Sequence, residues 1–508
     1  VPGWWPLAAL LVIAAAARLP TLSLQSLWYD EAYTPVHVLH SSLAATLNAL
    51  VAHENTPPLW YIVVWALTRV LGTGVVALRL LSALAGVALV AVGWAIGSEA
   101  GNRRTAVILA AILALNPLFV WYSQEARAYE LYALTAALSL LCFLRAYRAP
   151  TRMALLLWAL SSILTLLCHY FAAFLVAGEA ALLLTAGREL RRGGSVGSPV
   201  ATVHTQHAAR PRTWIAVAAV STAAAALAPL LLAQAGRGTQ WIGQWALSAR
   251  LVAIVSYYLL GANGSVLGHG LLALSALPAL GGLVLAGALI ARSRVARDEL
   301  ATLVRLCAIG VVAILLPLVL ALAGADYLAP RNLIADWVPL SAALALVLSL
   351  PAAGRAGVLM ALLVCLSGAA VVLATNLDPR LQRPDWHAVA AALRTGPGDR
   401  AFVSVELAAA PLEYYLPDLR LHYLSRRSSI VVREVDLVGY APLRAGAPRP
   451  PTPAFSLRGR VDVHGLLAYR YVAPVPVRLG GRSLNALAIT AGASVEVLIP
   501  AALPADGP

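Results

Sequence analysis

Long apolar runs, broken by short polar stretches, occupy the first three-quarters of the chain. A helix needs about 20 predominantly apolar residues to cross the hydrocarbon of a bilayer. By that criterion about eleven segments read as membrane helices: 4–19, 76–97, 105–121, 129–147, 153–169, 171–186, 213–233, 268–291, 303–323, 333–351 and 357–375. The pair 153–169 and 171–186 is short for full spans. Segment 57–72 is also short and opens on Pro57-Pro58, so it reads as a helix lying in the interface. The amphipathic segment 246–262 reads the same way, with Tyr257 and Tyr258 suited to that depth. The first apolar run, from Trp4 to Ala17, has no basic residues before it, which predicts a retained helix rather than a signal peptide.

Arginine orients these segments. Arg103 and Arg104, then Arg145, Arg148 and Arg152, then Arg188, Arg191, Arg192, Arg210 and Arg212, then Arg292, Arg294 and Arg297, then Arg355 fall in alternate connections. Cytoplasmic loops carry the excess of basic residues, so these five are expected inside. The connections 20–75, 122–128, 234–267 and 324–332, a tight turn near His169, and the chain beyond about 376 are then extracytoplasmic. The Gly/Ser-containing stretch 188–212, with His204 and His207, reads as a solvated linker. After Thr375 charged residues become ordinary and apolar runs shorten. Strands are predicted at 401–405, 429–435 and 495–499, helices at 386–393 and 409–415, and a Pro-rich loop at 444–453. The expected organisation is a mainly α, polytopic transmembrane bundle over 1–375 with a long first outer loop (20–75), and a soluble extracytoplasmic α/β domain over 376–508.

Composition agrees. Of 508 residues 60% are hydrophobic and 12% charged, against about 25% charged in soluble domains; mean hydropathy is +0.78. The net charge is +14, and because no lysine occurs all 37 basic residues are arginine. This suits a GC-rich, actinobacterial source. Arginines that fall mostly in short loops between apolar runs read as topology signals beside anionic lipid, so no nucleic-acid partner is expected. Cys142, Cys168, Cys307 and Cys365 lie in apolar segments without metal-ligand spacing, so neither a disulfide framework nor a zinc site is expected.

The polar residues able to do chemistry cluster on the predicted outer side. The first loop carries Trp28-Tyr29-Asp30-Glu31-Ala32-Tyr33, then His53-Glu54-Asn55-Thr56-Pro57-Pro58-Leu59-Trp60-Tyr61. The next carries Tyr122-Ser123-Gln124-Glu125-Ala126-Arg127; His169-Tyr170, Trp241 and Asp326 to Asn332 follow. Acids, histidines and arginines beside membrane helices are costly unless paired or wet, and often mark function. Transfer of a sugar to a hydroxyl needs a carboxylate base, and always-charged guanidinium groups suit a leaving phosphate. No Gly-rich phosphate loop with Lys-Ser/Thr appears on the cytoplasmic side.

These motifs carry a resemblance. Asp30-Glu31-Ala32-Tyr33, the run His53 to Tyr61, Ala77-Leu78-Arg79-Leu80 and Ser123-Gln124-Glu125-Ala126-Arg127, in this order and with these spacings, resemble the N-terminal half of GT-C glycosyltransferases. More narrowly they resemble glycosyltransferase family 39, the superfamily of protein O-mannosyltransferases and the lipid A aminoarabinose transferase. Tyr327–Leu340 and the later Arg383-Pro384-Asp385-Trp386 with Gly398-Asp399-Arg400 are similar to further family elements. The resemblance implies an inverting transfer from a polyprenyl-phosphate sugar to an acceptor hydroxyl on a glycan, glycolipid or protein, at the outer face of the plasma membrane. Mannose and arabinofuranose are both open as the sugar. It implies Asp30 as catalytic base and Glu31 as its catalytic neighbour. It implies substrate contacts from His53, Glu54, Tyr61, Tyr122, Gln124, Glu125, Arg127, His169, Trp241 and Arg331, with Arg127 and Arg331 toward the carrier phosphate. No cofactor is required by this reading, although Asp30, Glu31, His53, Glu54 and Glu125 are of the type that holds a divalent cation. Three extra residues before Pro57-Pro58 and Asn332 after Arg331 depart from common members and bear on specificity. The rival readings are a lipid-linked sugar transporter or flippase, and a non-catalytic cell-envelope partner. A transporter wants midplane polar residues and an internal repeat; no repeat is seen, and apart from Glu179 the acids read as lying at the outer boundary.

Overall fold

In the computed structural model the described residues are 4–192, 201–237, 239–262, 264–396, 398–405, 409–440, 448–463, 465–491 and 494–503. They form two compact units, one of Val1–Leu22 with Ser41–Leu377 and the other of Ser23–His40 with Asp378–Pro508. The change of character near 376 therefore coincides with a unit boundary, but the segment bearing Asp30 and Glu31 groups with the C-terminal residues rather than with the helices that flank it in sequence.

The first unit is a helical, multi-pass membrane bundle. Among the described residues six helices are long and apolar enough to cross a bilayer: Val75–Ala100, Tyr129–Arg148, Pro211–Gln234, Arg297–Leu322, Pro330–Ser349 and Pro351–Leu377. A seventh candidate is the pair Arg103–Leu115 and Pro117–Ser123, bent by 55°. Of the remaining expected spans, Trp5–Ala16 and Arg152–Cys168 are short apolar helices, and Ala172–Arg192 and Gly264–Ala291 are helices of 21 and 28 residues. Among the described residues, six or seven of the eleven expected segments are long and apolar enough to count as crossings by themselves. Apolar side chains such as Ile215, Leu232, Val284, Leu322 and Leu366 point outward and are exposed, a surface that water would penalise and lipid accepts. The segments expected at the interface are the helices Leu59–Leu71 and Leu247–Leu260. Part of the predicted linker is also helical. Residues 193–200 lie outside those described, but Ala201–Ala226 is a single helix that takes in His204 and His207. This corrects the reading of 201–212 as a solvated linker.

The bend at Asn116-Pro117 has a chemical cause. Pro117 has no N–H for the carbonyl of Leu113, and the N–H of Leu118 goes to Asn116 Oδ1 at 3.0 Å, leaving the carbonyl of Ala114 without its helical donor. Arg18, fully buried, supplies both: its guanidinium donates to Leu113 O at 3.0 Å and Ala114 O at 2.8 Å, and to Ser123 Oγ at 2.9 Å. The Asn116 side chain caps the new helix and donates to Tyr258 O at 2.9 Å. A break in apolar surroundings is tolerated when other groups re-satisfy the freed backbone. The break aims the turn 124–128 and its Gln-Glu-Ala-Arg residues.

The second unit is built on six strands, β1 (Arg400–Val405), β2 (Leu421–Tyr423), β3 (Ser429–Tyr440), β4 (Ser456–Val463), β5 (Leu466–Gly480) and β6 (Val495–Pro500), in the order β2-β6-β1-β3-β5-β4. β1 and β3 run parallel and the other pairs antiparallel. The predicted helices are present as Trp386–Leu393 and Ala409–Tyr415, and they pack Trp386, Val389, Leu393 and Leu412 with Phe402, Val438 and Leu498 of the sheet. Residues 444–447 of the predicted Pro-rich loop lie outside those described.

Candidate active site

In the helical unit a buried ion pair joins Glu54 and Arg127. Glu54 ends the helix Leu43–His53, and Arg127 lies in the turn before Tyr129–Arg148. Both are buried, and the guanidinium donates from Nη1 to Oε1 at 2.7 Å and from Nη2 to Oε2 at 3.0 Å. This forked geometry is the one planar Arg makes with carboxylate. The backbone carbonyl of Arg127 accepts from Ser82 Oγ at 3.2 Å, which fixes the turn to Val75–Ala100. Tyr61 is buried beside the pair and its hydroxyl accepts from Thr56 Oγ1 at 3.2 Å. Burial holds its phenol well above the ordinary value, with Arg127 pulling the other way. Both terminal nitrogens of Arg127 are engaged by Glu54, a pairing that ties the turn before Tyr129–Arg148 to the end of the helix Leu43–His53.

Arg331 sits among rings. Its guanidinium carbon is 5.1 Å from the Trp241 ring centroid and 5.8 Å from that of Tyr129. Tyr129 in turn lies 4.9 Å from Tyr122 and 5.9 Å from His169. His169 follows Arg152–Cys168 and stacks on Tyr132 at 4.8 Å with 15° between planes. It is buried, and its Nδ1 accepts the Phe171 N–H at 3.2 Å, so Nε2 bears the proton of the neutral ring. Glu125 is buried in the same turn as Arg127. The structure therefore brings Tyr122, Tyr129, His169, Trp241 and Arg331 into one aromatic-cationic group, and Glu54, Tyr61 and Arg127 into another. Two expected contacts stand apart. Gln124 donates to Ala17 O at 3.2 Å and Thr21 Oγ1 at 2.5 Å, tying down the end of the first helix. His53 is exposed. Arg79 is buried and donates to Leu22 O at 2.7 Å. Glu179 pairs with neighbours, accepting from Ser139 Oγ at 2.6 Å and Trp158 Nε1 at 2.8 Å.

In the second unit Asp30 and Glu31 open the short helix Tyr29–Tyr33. Adjacent helical residues point about 100° apart, and the two acids have opposite surroundings. Asp30 is half-buried, whereas Glu31 is fully buried with Oε2 at 3.8 Å from Nε of Arg383. Among the described residues no three His, Cys, Asp or Glu side chains are gathered so as to hold one metal ion.

Three supporting residues were not anticipated. Arg250, in a helix read as merely interfacial, makes a forked pair with Asp326 at 2.6 and 2.7 Å, and this holds the Asp326 carboxyl below its usual range. Gln234 donates to Leu50 O at 3.1 Å and accepts from Tyr170 at 2.7 Å. Arg18 holds the helix break. Each is a polar residue at the edge of an apolar run, which is the one signal the sequence offered.

Residues 55–203 match the family model of dolichyl-phosphate-mannose-protein mannosyltransferases, which bears out the family resemblance. The match takes in Tyr61, Tyr122 to Arg127 and His169 and begins after Asp30, Glu31, His53 and Glu54. No curated protein sequence matches the chain. Among solved structures, ArnT from Cupriavidus metallidurans in the apo state is 13% identical, with 91% of this chain and 97% of that one covered and a TM-score of 0.52. The same protein bound to undecaprenyl phosphate gives 12% identity, 92% and 98% coverage and a TM-score of 0.51. At these identities the likeness establishes the fold. An oligosaccharyltransferase of Archaeoglobus fulgidus, in complex with zinc and sulfate, is 16% identical over 81% of this chain, with a TM-score of 0.43. The chain spans 57% of the length of that archaeal protein.

Proposed function

We propose that the chain is a GT-C membrane glycosyltransferase that moves a sugar from a polyprenyl-phosphate donor to an acceptor hydroxyl. A match to a mannosyltransferase family and the fold of ArnT support the class. The observation that carries the assignment of roles is the unequal pair Asp30 and Glu31: Glu31 is buried against Arg383, and Asp30 is left partly open to a reactant. As base, the Asp30 carboxylate takes the proton of the acceptor hydroxyl while that oxygen bonds to the anomeric carbon. The bond from that carbon to the phosphate oxygen breaks, and polyprenyl phosphate leaves with the electron pair. A single displacement inverts the anomeric centre. Arg331 is assigned to the departing phosphate, and Trp241, Tyr122 and Tyr129 to apolar faces of the ligand. Glu125 and His169 complete the substrate-contacting set, Glu54 and Arg127 brace it, and His53 is retained as an outer contact. By the alternation of five arginine-bearing loops these acids and the C-terminal unit lie on the extracytoplasmic side of the plasma membrane. All eleven apolar segments are assigned as crossings, with 59–71 and 247–260 at the interface. The acceptor is a hydroxyl of a glycan, glycolipid or protein.

Arg331 provides a direct test. A charge-assisted contact to phosphate is worth about 1.5–3 kcal/mol, so Arg331→Ala is expected to weaken donor binding by roughly 10- to 100-fold. Titration of labelled polyprenyl phosphate onto the purified protein reads this, and unchanged affinity removes Arg331 from the donor site.

A further inference from the structure

The run Arg383-Pro384-Asp385-Trp386 lies at the entrance to the C-terminal unit, with no part in the chemistry above. It makes several hydrogen bonds with the segment that carries the acids. The backbone N–H of Arg383 donates to Gln25 Oε1 at 2.9 Å, and Nη1 of the same residue approaches that oxygen at 3.4 Å. Ser26 Oγ donates to Pro384 O at 2.9 Å and accepts the Trp386 N–H at 3.0 Å. The Leu27 N–H donates to the Tyr415 hydroxyl at 2.7 Å. Trp28 packs on the cluster of Trp386, Leu412 and Leu416. Asp385 turns inward to cap its own helix, accepting the Ala388 N–H at 3.0 Å. Gln25, Ser26, Leu27, Glu31, Arg383 and Trp386 are all buried. Backbone groups that leave water must find partners, and here the two segments provide them for each other across more than 350 positions of sequence.

We infer that Arg383 is a positioning residue for Asp30. It grips the stretch before the acids through Gln25 and, through its charge, the buried carboxylate of Glu31 next to Asp30. The distance of 3.8 Å from Nε to Glu31 Oε2 is a Coulombic contact, and in a buried setting such a pair orients its members strongly. On this view the C-terminal unit holds the base-bearing loop, and the role of the 383–386 run is to set where that loop stands. The inference rests on the assignment of Asp30 as base.

A misplacement of about 1 Å in a reacting group costs on the order of 10²-fold in rate. In the full-length protein in lipid nanodiscs, Arg383→Gln is therefore expected to lower kcat by roughly 10²-fold with the donor KM unchanged, and Arg383→Lys to recover part of the loss by restoring the charge. Hydrogen exchange at residues 25–33 is expected to quicken in Arg383→Gln while that of Tyr129–Arg148 stays as in the wild type. Ser26→Ala, which removes two of the contacts and leaves no charge uncompensated, is expected to act in the same direction and guards against a misfolded Arg383 variant. Wild-type kcat and unchanged exchange in both variants, with Asp30→Asn inactive, overturn the positioning role alone. An active Asp30→Asn overturns the assignment of the base, and the inference with it.

Discussion

Asp30→Asn is expected to lose glycosyl transfer by about 10²–10⁴-fold, the range over which a positioned general base contributes. The amide keeps the size of the side chain and most of its contacts but cannot take a proton from the acceptor. Because Asp30 is only half-buried and Glu31 beside it carries the contact to Arg383, the substitution should leave the unit folded. The expected pattern is a collapse of kcat with little change in donor affinity, measured on purified protein with labelled donor. Glu31→Gln separates the two acids. It leaves a neutral group where a buried carboxylate faced a guanidinium, and is expected to disturb folding as well as rate. Equal losses without instability in both variants would contradict the division of roles.

The second large effect is on stability. Glu54 and Arg127 are both buried and bonded through two parallel contacts of 2.7 and 3.0 Å. Removing one member of such a pair leaves the other charge buried and typically costs about 3–5 kcal/mol. Arg127→Met and Glu54→Gln are each expected to lower the unfolding temperature of the detergent-solubilised protein markedly. The double variant, with no charge stranded, is expected to recover most of the loss. If Arg127 instead serves mainly to bind phosphate, its loss would spare stability and raise the donor KM, and the double variant would show no recovery.

The membrane architecture was legible because its cause is local. Apolar runs and the arginines that punctuate them are read one segment at a time, and each of the eleven segments is helical in the structure. Span length was legible in part: Arg152–Cys168 matches the segment read as short, whereas Trp5–Ala16 ends before the close of the apolar run at 4–19. The sheet was half legible. β1, the start of β3 and β6 are buried apolar runs, whereas β4 alternates Arg458, Arg460 and Asp462 along an edge and β5 mixes Pro474 and Pro476 into its length. Those two strands form because each has a partner, not because of their own composition.

The site was legible as a set of residues but not as a set of pairings. Clusters of Asp, Glu, His and Arg stood out against an apolar chain. Which of them meet depends on contacts such as Arg127 with Glu54, 73 positions apart, or Arg250 with Asp326, 76 apart. The same limit hid the grouping of 23–40 with the C-terminal unit, since hydrogen bonds from Gln25 and Ser26 to 383–386 follow no periodicity.

Transfer of labelled sugar in purified membranes, from a panel of polyprenyl-phosphate sugars to a crude envelope acceptor fraction, is the most direct test of the central claim. The prediction is transfer from one donor that appears with the wild-type chain and is lost with Asp30→Asn. No Asp30-dependent transfer from any donor, by protein shown to be folded, would contradict it and leave a transporter or a non-catalytic envelope partner as the reading of this fold.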